Sequence, residues 1–146
     1  ALPISGLDKN VSMIANLIRR LGVFPIIGEG RGLRQPVHAE DLASAVLGVL
    51  ASPQTQQRIY AVSGGETLSY RQMVARIFVA LGKPCRIITI PSPLFAAALA
   101  VARMLPRFRH LHMQMAYRMN QDLCFDHRDA QADFGFAPRK FDQPLE

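Results

Sequence analysis

Gly28-Glu29-Gly30-Arg31-Gly32-Leu33-Arg34-Gln35-Pro36-Val37-His38-Ala39-Glu40-Asp41-Leu42-Ala43-Ser44-Ala45 is the stretch on which the fold turns. Glycine at alternate positions from 28 to 32 predicts a tight turn. The apolar run Phe24-Pro25-Ile26-Ile27 precedes it, and Leu33-Arg34-Gln35-Pro36-Val37-His38 follows. The pattern therefore predicts two short strands around a glycine turn. Glu40 and Asp41 then open an apolar helix through Leu50, with carboxylates in the first turn where the helix dipole favours them. A loop that cradles a dinucleotide phosphate needs Gly-x-Gly-x-x-Gly between a strand and a helix. Here the spacing differs and a strand comes next, so a structural hairpin is the reading.

Outward from that stretch, the elements are short and alternate in type. Val11, Ile14, Ala15, Ile18 and Leu21 share one face of a helix over 10–21, stopped by Gly22. Ser52-Pro53 ends the helix begun at Glu40. Arg58 to Val62 reads as a strand closed by Ser63-Gly64-Gly65. Ser69-Tyr70-Arg71-Gln72 fits a capping box, in which the Ser hydroxyl and the Gln amide each satisfy a free backbone N–H. The helix behind it carries Met73, Val74, Ile77, Phe78 and Leu81 as an apolar stripe. Arg86 to Ile90 reads as a strand. Leu94–Leu105 is apolar nearly all round, which predicts a buried helix first and an interfacial helix second, because Arg103, Arg107 and Arg109 follow. Residues 107–120 read as helix, Leu123-Cys124-Phe125 as extended chain, and Asp129–Phe134 as a short helix stopped by Gly135.

Composition narrows the function classes. The chain has 146 residues, 49% apolar and 19% charged, with a formal net charge of +6. That excludes wholesale disorder and fits one domain over 1–146. Two cysteines, Cys85 and Cys124, are too few for a disulfide scaffold. They read as reduced packing residues in a cytoplasmic protein. The charge is uneven: residues 67–121 hold eight bases and no acid. Such a segment attracts anions, the alternatives being solvated helix faces or pairing with the acidic tail. No zinc-finger spacing, aromatic-rich strand or dense basic run points to nucleic acid.

Candidate chemistry is sparse. His110-x-His112 lacks a third ligand nearby and reads as surface histidine, so no metal site is expected. His38 beside Asp41 reads as a structural hydrogen bond at a helix entry. No Gly-x-Ser-x-Gly elbow or His-Glu-x-x-His pair occurs. Arg34 stands apart. It lies on a predicted strand by the glycine turn, and its planar fork suits phosphate oxygens. An ion pair with Glu29 or Glu40 is the competing reading.

The run 28–45 resembles the C-terminal half of the extended short-chain dehydrogenase/reductases, the NAD-dependent epimerase/dehydratase family, whose pattern is a glycine-rich turn and then Arg-x-x-Val/Ile-His-x-x-Asp-Leu-Ala. Ile59-Tyr60-Ala61-Val62-Ser63-Gly64-Gly65-Glu66 is similar to that family's Tyr-x-x-x-Gly strand and turn. Leu68-Ser69-Tyr70 resembles the start of its substrate lobe. Asp129-Ala130 through Phe134-Gly135-Phe136-Ala137-Pro138-Arg139 resembles its terminal Leu-Gly-Phe-x-Pro block. The resemblance implies an α/β fold of short strands with packed helices, the C-terminal substrate-binding portion without the N-terminal Rossmann half. It implies that Arg34 contacts a substrate pyrophosphate, as in nucleoside-diphosphate-sugar members, and that His38 and Asp41 are structural.

The family's cofactor loop and its Tyr-x-x-x-Lys pair are absent, and its Arg-Pro-…-Tyr-Gly strand, which would precede the first helix, survives at most as Ile4-Ser5-Gly6. The expectation is therefore a fragment with no catalytic residue of its own. NAD or NADP would be bound by the missing half and not by these residues. The helix over 41–51 should then lose its packing partner and expose apolar surface, which favours a homodimer or aggregation. The stretch 94–121 also resembles the branch near the dehydrogenase-like accessory subunit of respiratory complex I. That keeps open a non-catalytic interaction or membrane-surface module.

Overall fold

The computed structural model describes residues 9–104 and 113–141. Ile4-Ser5-Gly6, Arg107, Arg109, His110 and His112 lie outside the described residues. The elements, in order, are α1 (Lys9–Leu21), β1 (Phe24–Ile27), β2 (Leu33–Arg34), α2 (Ala39–Ala51), a 3-10 turn (Pro53–Thr55), β3 (Leu68–Ser69), α3 (Tyr70–Ala80), β4 (Ile87–Ile90), α4 (Ser92–Ala102), α5 (Gln114–Asn120) and α6 (Arg128–Phe134). Among the described residues, no helix is long and apolar enough to cross a membrane.

The chain divides into two compact units, each built from separated stretches. The first comprises 1–13, 34–68 and 123–146; the second comprises 14–33 and 69–122.

In the second unit, β1 and β4 form a parallel pair, from Phe24 opposite Ile87 to Ile27 opposite Ile90. The ladder continues at both ends, where Phe24 N donates to Arg86 O at 3.0 Å and Gly28 N to Ile90 O at 2.9 Å. A parallel pair needs a long crossover, and α3 lies within it. Helix α3 starts as its sequence predicts: Ser69 Oγ accepts from Gln72 N while Gln72 Oε1 accepts from Ser69 N. Ile14, Ala15 and Ile18 of α1, Phe24, Ile26 and Ile27 of β1, and Met73, Val74, Ile77 and Phe78 of α3 are buried. Each fully buried Ile, Val, Met or Phe side chain among them contributes about 2 kcal/mol. Lys83 Nζ donates to Arg19 O at 3.0 Å, covering a carbonyl left open at the end of α1.

In the first unit, α2 and α6 meet, and the 3-10 turn touches both. Ala45, Ala130 and Phe136 form a buried cluster, with Val37, Tyr60, Val62 and Phe134 packed against it. Small residues let the two helices approach: a Cβ on Gly48 would stand 2.9 Å from the Phe134 ring. Helix α6 ends at Gly135 in the left-handed conformation, as its sequence indicates.

Several expectations are corrected. The glycine turn is not a hairpin: β1 pairs with β4, and β2 pairs with β3. Arg58 to Val62 joins no ladder. Its alternation survives, since Tyr60 and Val62 pack on the cluster while Ile59 is 99% exposed. Leu21 faces solvent and is not part of the α1 stripe. Both cysteines are exposed and free, so neither packs in a core. Helix α4 is not buried, and Leu99 is its one buried residue.

Candidate functional site

Arg34 sits where three stretches of the first unit are stitched together. It bridges in parallel to Leu123. Its neighbour Gln35 takes three bonds: the backbone O accepts from Gly64 N at 3.1 Å, Oε1 accepts from Phe125 N at 2.7 Å, and Nε2 donates to Thr67 Oγ1 at 3.1 Å. The Gly64 backbone crosses so close that a Cβ there would stand 1.9 Å from Pro36 O. Ser63, buried behind it, donates to Phe125 O at 2.9 Å and contacts His127 Nδ1 at 2.7 Å. The strip 34–36 is thus fixed from both sides, and Arg34 stands on it half-buried. Glu29 pairs with Arg31, and Glu40 with Arg139.

His38 and Asp41 take structural positions. His38 is the N-cap of α2, its Nδ1 accepting from Glu40 N at 3.2 Å. Asp41 is buried, and both of its oxygens are taken by Arg139: Oδ2 accepts from the backbone N at 2.9 Å and Oδ1 from Nε at 2.7 Å. Arg139 Nη1 also donates to Glu40 Oε2 at 2.9 Å. The two acids of the α2 first turn therefore hold the terminal Pro138-Arg139 segment. Each end of this lock lies in a block that carries the family resemblance, but the sequence does not show that the blocks meet.

The glycine turn belongs to the second unit. Gly28 and Gly30 adopt φ of +72° and +65°, conformations that favour glycine. Three backbone donors of the turn are used inside the unit. Gly28 N goes to Ile90 O, Gly30 N to Asn120 Oδ1 at 3.0 Å, and Leu33 N to Asp122 Oδ1 at 2.8 Å. Asn120 Nδ2 donates back to Ile27 O at 2.8 Å, and a Cβ on Gly28 would stand 2.9 Å from that amide. The Asn120 side chain fills the cradle from within. Arg71, one of the basic middle segment, donates to Glu29 O at 3.3 Å and to Thr89 Oγ1, which braces the same turn.

A third polar group was not foreseen. Tyr60 Oη donates to Asp133 Oδ2 at 2.6 Å, and Arg58 Nη1 reaches the same oxygen at 2.7 Å. The phenol's hydrogen bond, with the guanidinium, holds the Asp133 carboxyl below its ordinary range. Burial, together with that acceptor, pushes the Tyr60 hydroxyl above 10. Asp126 is held down to about 2 by its hydrogen bonds with Arg128. These tail acids are thus paired within their own unit. Among the described residues, no group of three or more His, Cys, Asp or Glu is arranged to hold a metal ion.

Comparison with known proteins places the fold. No family model matches the chain. The NAD(P)H azoreductase of Xenophilus azovorans is 31% identical over 83 residues, 56% of this chain and 28% of that protein. The dTDP-glucose 4,6-dehydratase of Bacillus anthracis, solved with NAD, superposes at a TM-score of 0.59 with 18% identity, covering 92% of this chain and 36% of that one. The UDP-glucuronic acid 4-epimerase of Bacillus cereus, solved with UDP-glucuronic acid and NAD, superposes at 0.62 with 12% identity, covering 90% and 35%. The chain therefore spans about a third of the length of these two solved enzymes. Its mixed α/β arrangement of short strands and packed helices is shared with the portions of these two enzymes that it covers.

Proposed function

We propose that this chain is the substrate-binding C-terminal portion of an NAD(P)-dependent epimerase/dehydratase-like enzyme, and that Arg34 binds the pyrophosphate of a nucleoside-diphosphate sugar. The observation that carries the reading is the fixed strip 34–36: Gln35 is bonded on both sides, so the neighbouring guanidinium is presented from a rigid base. The likeness over about nine-tenths of this chain to enzymes solved with NAD supports the reaction class. The azoreductase likeness favours, as a second reading, a reductase parent that acts on another anionic substrate.

These residues bind and orient the substrate. In this reading the cofactor and the proton-transferring groups belong to a further portion of the enzyme. Helix α2 offers that portion an apolar face: Leu42, Val46, Leu47 and Leu50 are 43%, 55%, 67% and 78% exposed. A cytoplasmic location accords with such a substrate.

Calorimetric titration of the chain with UDP-glucose tests Arg34. A charge-assisted hydrogen bond is worth about 1.5–3 kcal/mol, so Arg34→Ala should weaken binding by roughly 10- to 150-fold. Arg34→Lys should lose less, keeping the charge but not the fork. Equal binding by wild type and Arg34→Ala, or no binding by either, overturns the assignment.

A further inference from the structure

Gly64 and Gly65 stand between two segments of the first unit that are far apart in sequence. The peptide that joins them is a planar unit, which includes both Cα atoms and the Gly65 N–H. One end bears on the strip that carries Arg34: a Cβ on Gly64 would stand 1.9 Å from Pro36 O. The other end bears on the terminal segment. Gly65 N donates to Arg139 O at 3.2 Å, and a Cβ on Gly65 would stand 2.3 Å from Pro138 O. These are backbone atoms on both sides, so no side-chain rotation relieves either approach. The peptide is wedged, and a shift of 138–139 is transmitted to 35–36.

Side chains set where 138–139 lies. Pro138 and Arg139 belong to no helix or strand, and Pro138 has no N–H to donate. Asp41, buried in the first turn of α2, accepts from Arg139 N at 2.9 Å and from Arg139 Nε at 2.7 Å. Arg139 Nη1 donates to exposed Glu40 at 2.9 Å. The guanidinium is a rigid planar fork, so these bonds fix direction as well as distance. Helix α2 thereby holds Arg139, Arg139 holds Gly65, and the wedged peptide bears on Pro36. The bond from Gly64 N to Gln35 O at 3.1 Å carries the same constraint to the residue beside Arg34.

We propose that Arg139, through its pairing with Asp41, is a positioning residue for Arg34. It touches no ligand itself, and the proposal rests on the reading of Arg34 as the residue that grips a pyrophosphate. A guanidinium outdoes a point charge only where its donors line up with two phosphate oxygens, so displacing its base costs affinity.

Calorimetric titration of the chain with UDP-glucose reads the effect. Arg139→Gln removes the two side-chain bonds and keeps the backbone bond to Asp41; it should weaken binding by roughly 2- to 30-fold. Arg139→Lys, which keeps a charge between Asp41 and Glu40, should recover part of the loss. In an Arg34→Ala background, Arg139→Gln should weaken binding no further, because the two act through one contact. Arg58→Gln, which breaks the ion pair with Asp133 in the same unit, should bind as wild type does. Amide hydrogen exchange reads the wedge without ligand: Gly64 N–H should exchange at least about tenfold faster in Arg139→Gln, while Gly28 N–H, in the second unit, keeps its wild-type rate. Circular dichroism confirms that each variant is folded. An Arg139→Gln chain that binds like wild type overturns the proposal. So does a loss of the same size with and without Arg34, which marks a general effect on stability. If wild type binds no UDP-glucose, the substrate reading falls; the wedge is then judged on exchange, and an unchanged Gly64 rate overturns it.

Discussion

Replacing Gly64 with alanine should disable the strip that carries Arg34. Gly64 is not at positive φ, so backbone strain is not the reason. The reason is space: the added Cβ would stand 1.9 Å from Pro36 O, 2.6 Å from Pro36 C and 3.3 Å from Gln35 C. These are backbone atoms, which have no rotamer to change. Bringing the first contact out to about 3 Å requires the two segments to part by about 1 Å. The bond from Gly64 N to Gln35 O, 3.1 Å long, does not survive that separation. Losing a buried hydrogen bond costs about 1–3 kcal/mol, and overpacking adds about 1–3 kcal/mol. The expected loss is about 3 kcal/mol, a large part of the stability of a chain this size. With a urea slope of about 2 kcal/mol/M, the midpoint should fall by about 1.5 M. Exposed Ala61→Ser, three residues away, should stay within about 0.5 kcal/mol of wild type. Urea denaturation followed by circular dichroism is the assay. A midpoint for Gly64→Ala within about 0.25 M of wild type would refute the claim that the crossing at Pro36 is closed by contact.

Two further outcomes follow from the polar groups of the first unit. Asp41→Asn should lower the urea midpoint several-fold more than Glu40→Gln, because Asp41 is 8% exposed and accepts two bonds from Arg139, whereas Glu40 is 66% exposed and accepts one; equal shifts would show that the lock does not depend on the buried carboxylate. The Tyr60–Asp133 pair should lose strength at both ends of the pH scale. The Asp133 pKa is depressed, so its contribution is present above the usual carboxylate pKa and disappears as pH falls through the folded value; the Tyr60 pKa is raised above 10, so its contribution is present below 10 and disappears as pH rises through the folded value. Absorbance titration near 295 nm should show one tyrosine ionising late in wild type and missing in Tyr60→Phe, and a Tyr60 that ionises at or below 10 would contradict the geometry.

What the sequence made legible is what a few adjacent residues decide. The Ser69–Gln72 capping box, the acidic first turn of α2 and the Gly135 stop all lie within one or two turns of chain, and all were placed. Partners far apart in sequence were not. The periodicity found β1 and β4 as apolar runs but could not pair Phe24 with Ile87, and the hairpin it suggested instead is the pairing that proximity alone would favour. Asp41 and Arg139 were each singled out, yet no local signal joins them. Helix α4 shows the opposite failure. Its apolar composition was read as burial, but composition reports what a surface avoids, not whether the same chain supplies a cover. The cysteines failed for the same reason: a small apolar residue beside an apolar run is not thereby inside it.

The two units share their chain in an interleaved way, with the polypeptide passing from one to the other after residues 13, 33, 68 and 122. Neither can be cut out as a continuous piece. Truncation at residue 33 or 68 removes part of both, so a shorter expression product that ends there leaves neither complete. Closing each unit also requires stretches from distant parts of the chain to meet before either is rewarded, which makes assembly slow for the size of the molecule and leaves its half-made states exposed to proteases and to each other.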